Sequence, residues 1–366
     1  MITANQDGLM PIFSHSIQNP TPCPGSPDLE TVVCDCCGGS RTLPLAVLPP
    51  VDELALPMHR LGAAALRFEP GAVRFCRCLD CGLVYMNPRL TESAVARFYD
   101  TVYAVKGAAQ AFESDQRRRT NLYLDQIAAL LAVEQPHVLD IGCGAGQFLR
   151  AAQERGWRVS GSELSGVAAE KASRLLGVPV FHGDFRQMGF APGSLDVITL
   201  LSVLEHLRAP MDTLRDSAAL LKPGGVLMFN VPNPDSWEYR FARLTGQMWR
   251  GFIIEHLYYF TPAFLRRCLA ELGLDIRVMS SWNPDSRLPN PLRDLRAARA
   301  APPSSPAPGS GGAPAIPAAR PVSLPRRLLR QANHYLLDVV SALSEGRQNG
   351  GSTSGNALFV WAQKRG

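Results

Sequence analysis

Apolar and polar positions along the middle of the chain alternate between two kinds of element. Residues 137–141 (HVLDI) are a short apolar run, residues 147–155 put Phe148, Leu149 and Ala152 on one helical face, and residues 157–161 return as a second strand. The alternation continues with a helix capped by Ser165 and stopped by Gly177, a strand at 178–181, and a strand at 195–203 that is apolar enough to be covered on both faces. A helix at 211–221, a strand at 226–231, a helix at 262–272 ended by Gly273 and a strand at 274–279 follow. Strands separated by helices predict an α/β fold with a parallel sheet covered on both sides. Ahead of this region, residues 112–133 read as a long amphipathic helix with Leu122, Leu124, Ile127, Leu130 and Leu131 inward and Arg117, Arg118 and Arg119 solvated. Residues 356–363 (NALFVWAQ) read as a last strand beside 274–279.

Two stretches fall outside the pattern. Residues 1–30 carry Pro, Ser, Asn and Gly without periodicity and predict an unstructured start. Residues 286–325, rich in Ala, Pro, Ser and Gly, predict a tether, followed by a helix at 326–345 with Leu328, Leu329, Tyr335, Leu336, Val339 and Val340 largely on one side. That helix is expected to pack on the domain, with a membrane-surface contact as the alternative.

Composition narrows the function classes. The chain has 366 residues, 46% of them hydrophobic, with 37 Lys plus Arg against 32 Asp plus Glu for a net charge of +5. Much of the basic excess sits after residue 286, so no nucleic-acid partner is expected. No apolar run approaches the roughly twenty residues of a membrane span, and the start lacks a secretory pattern. Six of the nine cysteines crowd into residues 34–81, which predicts a metal site in a reducing, cytoplasmic setting rather than a disulfide scaffold. Cys34 with Cys37 and Cys78 with Cys81 form two C-x-x-C pairs, each followed by glycine, and together supply four thiolates for one structural zinc. Cys36 and Cys76 are two further thiols, either able to replace a neighbour, and buried free cysteines are the plain alternative.

The turn after the first strand carries the candidate chemistry. Asp140 closes the strand, Gly142, Gly144 and Gly146 follow at alternate positions, and Glu163 ends the second strand, where an acidic residue can take the ribose hydroxyls of a nucleoside. A dinucleotide fingerprint needs a sixth-position glycine, which is Gln147 here, and Asp140 puts negative charge before the turn, which suits a cation better than a pyrophosphate. This D-x-G-x-G-x-G segment with Glu163 some twenty residues on resembles the first motif and the following acidic position of class I S-adenosylmethionine (SAM) methyltransferases. Leu204-Glu205-His206-Leu207 and Lys222-Pro223-Gly224-Gly225 are similar to later segments of that family. Cys81 to Arg89 (CGLVYMNPR) with the F-Y pair after it resembles the amino-terminal module of bacterial sugar C-methyltransferases and related small-molecule methyltransferases, with residues 87–103 as part of a lid.

The resemblance implies a Rossmann-like seven-stranded methyltransferase sheet, its last strand antiparallel, with a small amino-terminal zinc-ribbon module. The expected division is a ribbon and lid module at 31–100 and a methyltransferase domain at 101–285 plus 355–366. It implies SAM and zinc as cofactors and a small-molecule acceptor: a sugar, nucleotide sugar or tailoring-pathway metabolite, methylated at carbon or oxygen. By the same resemblance Asp184 and Phe185 hold the adenine, although Asp184 taken alone reads more often as a turn or cap residue. His256, within E-H-L-Y-Y-F-T, is the first choice for base; His206 and Glu205 are the other catalytic candidates, with His206 also readable as a histidine hydrogen bonded at a helix start. The aromatic cluster at 237–260 is expected to line an acceptor pocket, a local core being the alternative. Competing readings are an RNA or protein methyltransferase, and a zinc-ribbon nucleic-acid-binding protein with the α/β unit as scaffold; the mixed charge of residues 34–81 argues against the latter.

Overall fold

A computed structural model of the chain describes residues 21–48, 62–69, 71–106, 113–246, 248–249, 251–281 and 355–366. The tether expected at 286–325 and the helix at 326–345 lie outside the described residues, as does most of the expected unstructured start. Residues 21–31 depart from that expectation. Strand β1 (Thr21–Pro22) pairs antiparallel with β2 (Leu29–Thr31), because Leu29 is buried and Asp28 accepts the Arg67 amide at 2.6 Å and pairs with Arg97.

Strands β3 (Thr42–Val47), β4 (Arg74–Cys78) and β5 (Val84–Met86) form an antiparallel ribbon sheet. β6 (Arg89–Leu90) closes on β2, and helix α1 (Glu92–Lys106) follows. Helix α2 (Glu113–Leu130) buries Tyr123, Leu124 and Ile127 against the main sheet; Tyr123, absent from the expected apolar face, lies 5.6 Å from the Phe359 ring and 6.0 Å from Trp361.

The main unit is built from β7 (His137–Ile141), α3 (Gln147–Glu154), β8 (Arg158–Glu163), α4 (Gly166–Leu176), β9 (Phe181–His182), β10 (Leu195–Leu201), α5 (Pro210–Leu220) and β11 (Leu221–Pro232). After it come α6 (Trp237–Leu244), β12 (Tyr258–Tyr259), α7 (Pro262–Glu271), β13 (Leu274–Ser280) and β14 (Ala357–Lys364). Local signals set the helix ends: Ser165 Oγ accepts the Ala168 amide at 3.4 Å, and Thr261 Oγ1 accepts that of Phe264 at 3.2 Å with Pro262 in the first turn.

The seven-stranded sheet runs in the order β13-β14-β11-β10-β7-β8-β9. β14 is antiparallel to both neighbours, while β11, β10, β7, β8 and β9 are parallel. The L-K-P-G-G segment joins β11 rather than preceding it: Leu221 pairs with Leu195, the ladder is interrupted, and it resumes at Val226 with Val197. One core on the α2 and α3 side contains Leu124, Phe148, Leu149 and Trp361. The other runs without a break from the opposite face of the sheet into the ribbon, through Leu200, Phe229, Tyr259 and Phe75.

The aromatic cluster builds that seam. Phe75 of β4 stacks on Phe252 with centroids 4.4 Å apart, and Tyr259 packs edge-on to both. Tyr239, Trp249, Tyr258 and Phe260 are buried as well, whereas Trp237 is exposed. These rings are core, contrary to the acceptor pocket expected for them, because the ribbon supplies the apolar surface they cover. Residues 258–259 are the edge strand of the ribbon sheet, with Tyr258 opposite Tyr85 and Tyr259 opposite Val84.

Candidate active site

The parallel strands β7, β8 and β10 bring three turns to one end of the sheet, at the point where strand order reverses between β7 and β10. After β7, Gly142, Gly144 and Gly146 all have positive φ. Gly142 needs its conformation and its missing side chain, since a Cβ there would stand 2.6 Å from Val203 Cγ2. At Gly144 a Cβ would meet nothing, so this stretch of backbone faces open space. Glu163, at the end of β8, accepts the Gly144 amide through Oε2 and the Ser165 amide through Oε1, each at 2.9 Å. The sequence places Gly144 and Glu163 nineteen residues apart, and the structure joins them into one cradle with a fixed carboxylate.

Asp140 lies beneath the turn. Burial pushes its carboxyl up to about 7, an effect the hydrogen bond from Thr199 Oγ1 at 2.6 Å opposes and the nearby Glu163 reinforces. Thr199 was not among the sequence candidates; its signal was a polar residue inside the apolar run 197–201, and the structure sets it directly opposite Asp140. Asp184 follows β9 and caps a short 3₁₀ turn, accepting the Arg186 amide at 2.9 Å and pairing with the Arg186 guanidinium at 2.9 Å. Phe185 is buried, with the Arg186 guanidinium 4.9 Å from its ring centroid. Gly183 donates its amide to the Glu163 carbonyl at 3.0 Å, which brings Asp184 beside the cradle. An acidic carboxylate, an open glycine turn and a buried aspartate suit a nucleoside carrying positive charge, so the residues present fit SAM.

The turn after β10 carries the second group. Glu205 is 3% exposed, and its Oε1 lies 4.0 Å from His206 Nε2 and 3.9 Å from His256 Nε2. Its Oε2 is buried without a hydrogen-bond partner among the described residues. Burial pushes the Glu205 carboxyl up to about 8, against a smaller opposing backbone hydrogen bond. His206 Nδ1 lies 2.9 Å from the Glu255 carbonyl, which makes that nitrogen the donor and turns Nε2 toward Glu205. The two imidazoles sit 4.7 Å apart, nearly perpendicular. All three sequence candidates for catalysis therefore meet in one cluster, whose ligand atoms lie within 4.8 Å of one another, close enough to share a proton or a divalent cation.

The ribbon thiols form a separate cluster. Cys34, Cys37, Cys78 and Cys81 are buried with their ligand atoms within 4.8 Å of one another; Cys34 and Cys81 Sγ are 3.4 Å apart, Cys37 and Cys78 Sγ 3.6 Å. A tetrahedron with zinc–sulfur bonds of about 2.3 Å has edges of about 3.8 Å, so the four thiols fit zinc. Cys36 and Cys76 fall outside the four; Cys76 Sγ is directed at the Tyr85 carbonyl at 3.5 Å. No helix among the described residues is long and apolar enough to cross a membrane.

Residues 115–277 match the methyltransferase domain family. The ubiquinone biosynthesis O-methyltransferase of Saccharophagus degradans is 30% identical over 205 residues, covering 53% of this chain and 84% of the relative. The enzyme of the same name from Azoarcus sp. is 26% identical over 215 residues, covering 56% and 92%. A SAM-dependent methyltransferase structure from Archaeoglobus fulgidus is similar at 17% identity with a TM-score of 0.41, covering 69% of this chain and 95% of that one. With the sheet order, the glycine turn and Glu163 in place and a relative matched over most of its length, the chain belongs to the SAM-dependent methyltransferases.

Proposed function

We propose that the chain methylates a hydroxyl or an acidic carbon of a small-molecule acceptor, with His256 as the base and His206 and Glu205 as its partners. The observation that carries this reading is Glu205 Oε1 standing between two imidazole Nε2 atoms, one strand away from the glycine turn. Asp140, Gly142, Gly144, Gly146, Glu163, Asp184 and Phe185 would hold SAM, which when bound supplies an already activated methyl group. The chain's own task is to align the acceptor, exclude water and remove one proton. His256 Nε2 would take that proton, and the Glu205 carboxyl would stabilise the imidazolium by passing its own proton to His206 Nε2, which lies 4.0 Å from Oε1.

The acceptor class that fits the ribbon module is a sugar, a nucleotide sugar or a tailoring-pathway metabolite. The curated relatives are named for ubiquinone biosynthesis, which adds ring hydroxyls to the candidates. Cys34, Cys37, Cys78 and Cys81 would bind zinc in a structural role. Incubating the protein with SAM and a panel of nucleotide sugars and phenolic rings, followed by mass spectrometry, tests the reading. A methyl gain on one panel member that is lost in His256→Ala supports it; methylation of bulk RNA or protein in place of every small molecule overturns it.

A further inference from the structure

The ribbon makes contacts that a remote stabilising module would not need. Leu257, the residue after His256, is held at both ends of its backbone: its carbonyl accepts the Met86 amide at 2.9 Å, and its amide donates to the Glu205 carbonyl at 2.8 Å. One buried residue thus joins strand β5, the His256 loop and the Glu205 turn. Tyr258 and Tyr259 then continue the loop as part of the ribbon sheet.

Further links reach the other flank of the cluster. Arg89, 5% exposed, bonds Glu30 at 2.9 Å, the Tyr258 hydroxyl at 2.9 Å and the Arg208 carbonyl at 3.1 Å, two residues past His206. Asp35, between the first two thiols, accepts the Met211 amide at 3.3 Å in the opening turn of α5. The Cys81 carbonyl accepts the Arg267 guanidinium of α7 at 2.5 Å. The cofactor turn is held differently. Its bonds, Gly142 amide to Ser162 carbonyl at 2.8 Å, Gly144 to Glu163, and Thr199 to Asp140, all lie within the main sheet and its turns.

We infer that the ribbon is a positioning element for the acceptor cluster: through Met86 and Leu257, the state of its four thiols sets where His256 stands against Glu205 and leaves the cofactor turn unaffected. Loss of zinc would then disable acceptor chemistry in a protein that still binds SAM. The inference rests on the reading of His256 as the acceptor base, and it gives the ribbon a role in the reaction, not only in stability.

The test compares full-length wild type with Cys37→Ser, and with wild type whose zinc has been ejected by an organomercurial and restored with zinc and a thiol. Hydrogen exchange is read at residues 253–260 and 138–146, imidazole NMR signals at His206, His256 and His137, and SAM affinity by calorimetry. Exchange at 253–260 should rise at least about tenfold while 138–146 and the SAM Kd stay within about twofold. The His206 and His256 signals should move, the His137 signal should not, and zinc with thiol should restore the starting state. Unchanged exchange at 253–260 overturns the inference, as does a parallel loss of protection at 138–146 with weakened SAM binding. Absence of SAM binding in the zinc-loaded wild type would instead count against the methyltransferase reading, and the exchange comparison would still decide the inference. If Cys37→Ser does not fold, the ejection and restoration cycle supplies the same comparison.

Discussion

Glu163 ends β8 and Glu205 stands in the turn after β10, on opposite sides of β7, and the two are treated in opposite ways. Glu163 has each carboxylate oxygen on a backbone amide, an arrangement that holds it in one orientation. Glu205 has one oxygen facing two imidazoles and the other without a hydrogen-bond partner among the described residues, and burial pushes its carboxyl up to about 8. Preorganisation by local amides suits a cofactor that is always the same. A carboxyl poised near neutrality beside two histidines suits a proton that has to move.

Substitutions should separate the two regions. The largest expected effect is His256→Ala, which should slow transfer to the acceptor found by the panel by roughly 10²–10⁴-fold, the usual range for a removed general base. SAM affinity measured by calorimetry should not follow; if it does, the division between the regions fails. Phe252→Ala, in the seam between ribbon and sheet, should cost about 3–5 kcal/mol of stability in denaturant titration, since it opens a cavity among Phe75, Trp249 and Tyr259. A loss below about 1 kcal/mol would mean that the seam does not support the fold. Glu163→Ala should weaken SAM binding by about 1.5–3 kcal/mol through loss of a charged hydrogen-bonding group and spare residues 253–260 in hydrogen exchange.

The smallest effect concerns pH. The Asp140 and Glu205 carboxyls are raised by burial, to about 7 and about 8. A raised carboxyl contributes stability that is present in full below its unfolded value and is lost as pH rises through the folded one. Protein without SAM should therefore lose stability between about pH 5 and pH 8, at a slope of order 1 kcal/mol per pH unit. Asp140→Asn should flatten the part of that slope below about pH 7 in thermal melts. A slope equal to wild type would show that Asp140 keeps its charge.

The glycine turn and its carboxylate were legible in the sequence because their constraints are local. Three glycines need positive φ within five residues, Asp140 precedes them, and Glu163 returns one helix later. The cluster of Glu205, His206 and His256 was legible only as separate residues. Glu205, His206 and His256 were identified, yet their meeting depends on Leu257 bonding to both Met86 and Glu205, contacts spanning many intervening residues. β12 is two residues long and owes its strand character to Val84 and Tyr85, so no periodicity within 237–260 could reveal it. The same absent partner misled the reading of the aromatics, whose burial requires Phe75 from the ribbon.

The place of β14 has a consequence for biosynthesis. It lies between β11 and β13 rather than at an edge, and it is paired along Val226 to Pro232 on one side and Leu274 to Ser280 on the other. Until residues 357–364 leave the ribosome, β13 has no strand to join, and β11 has a partner on its β10 side alone. Closure of the sheet therefore waits for residues 357–364, and a nascent chain arrested before residue 357 carries a finished glycine turn inside an unfinished sheet.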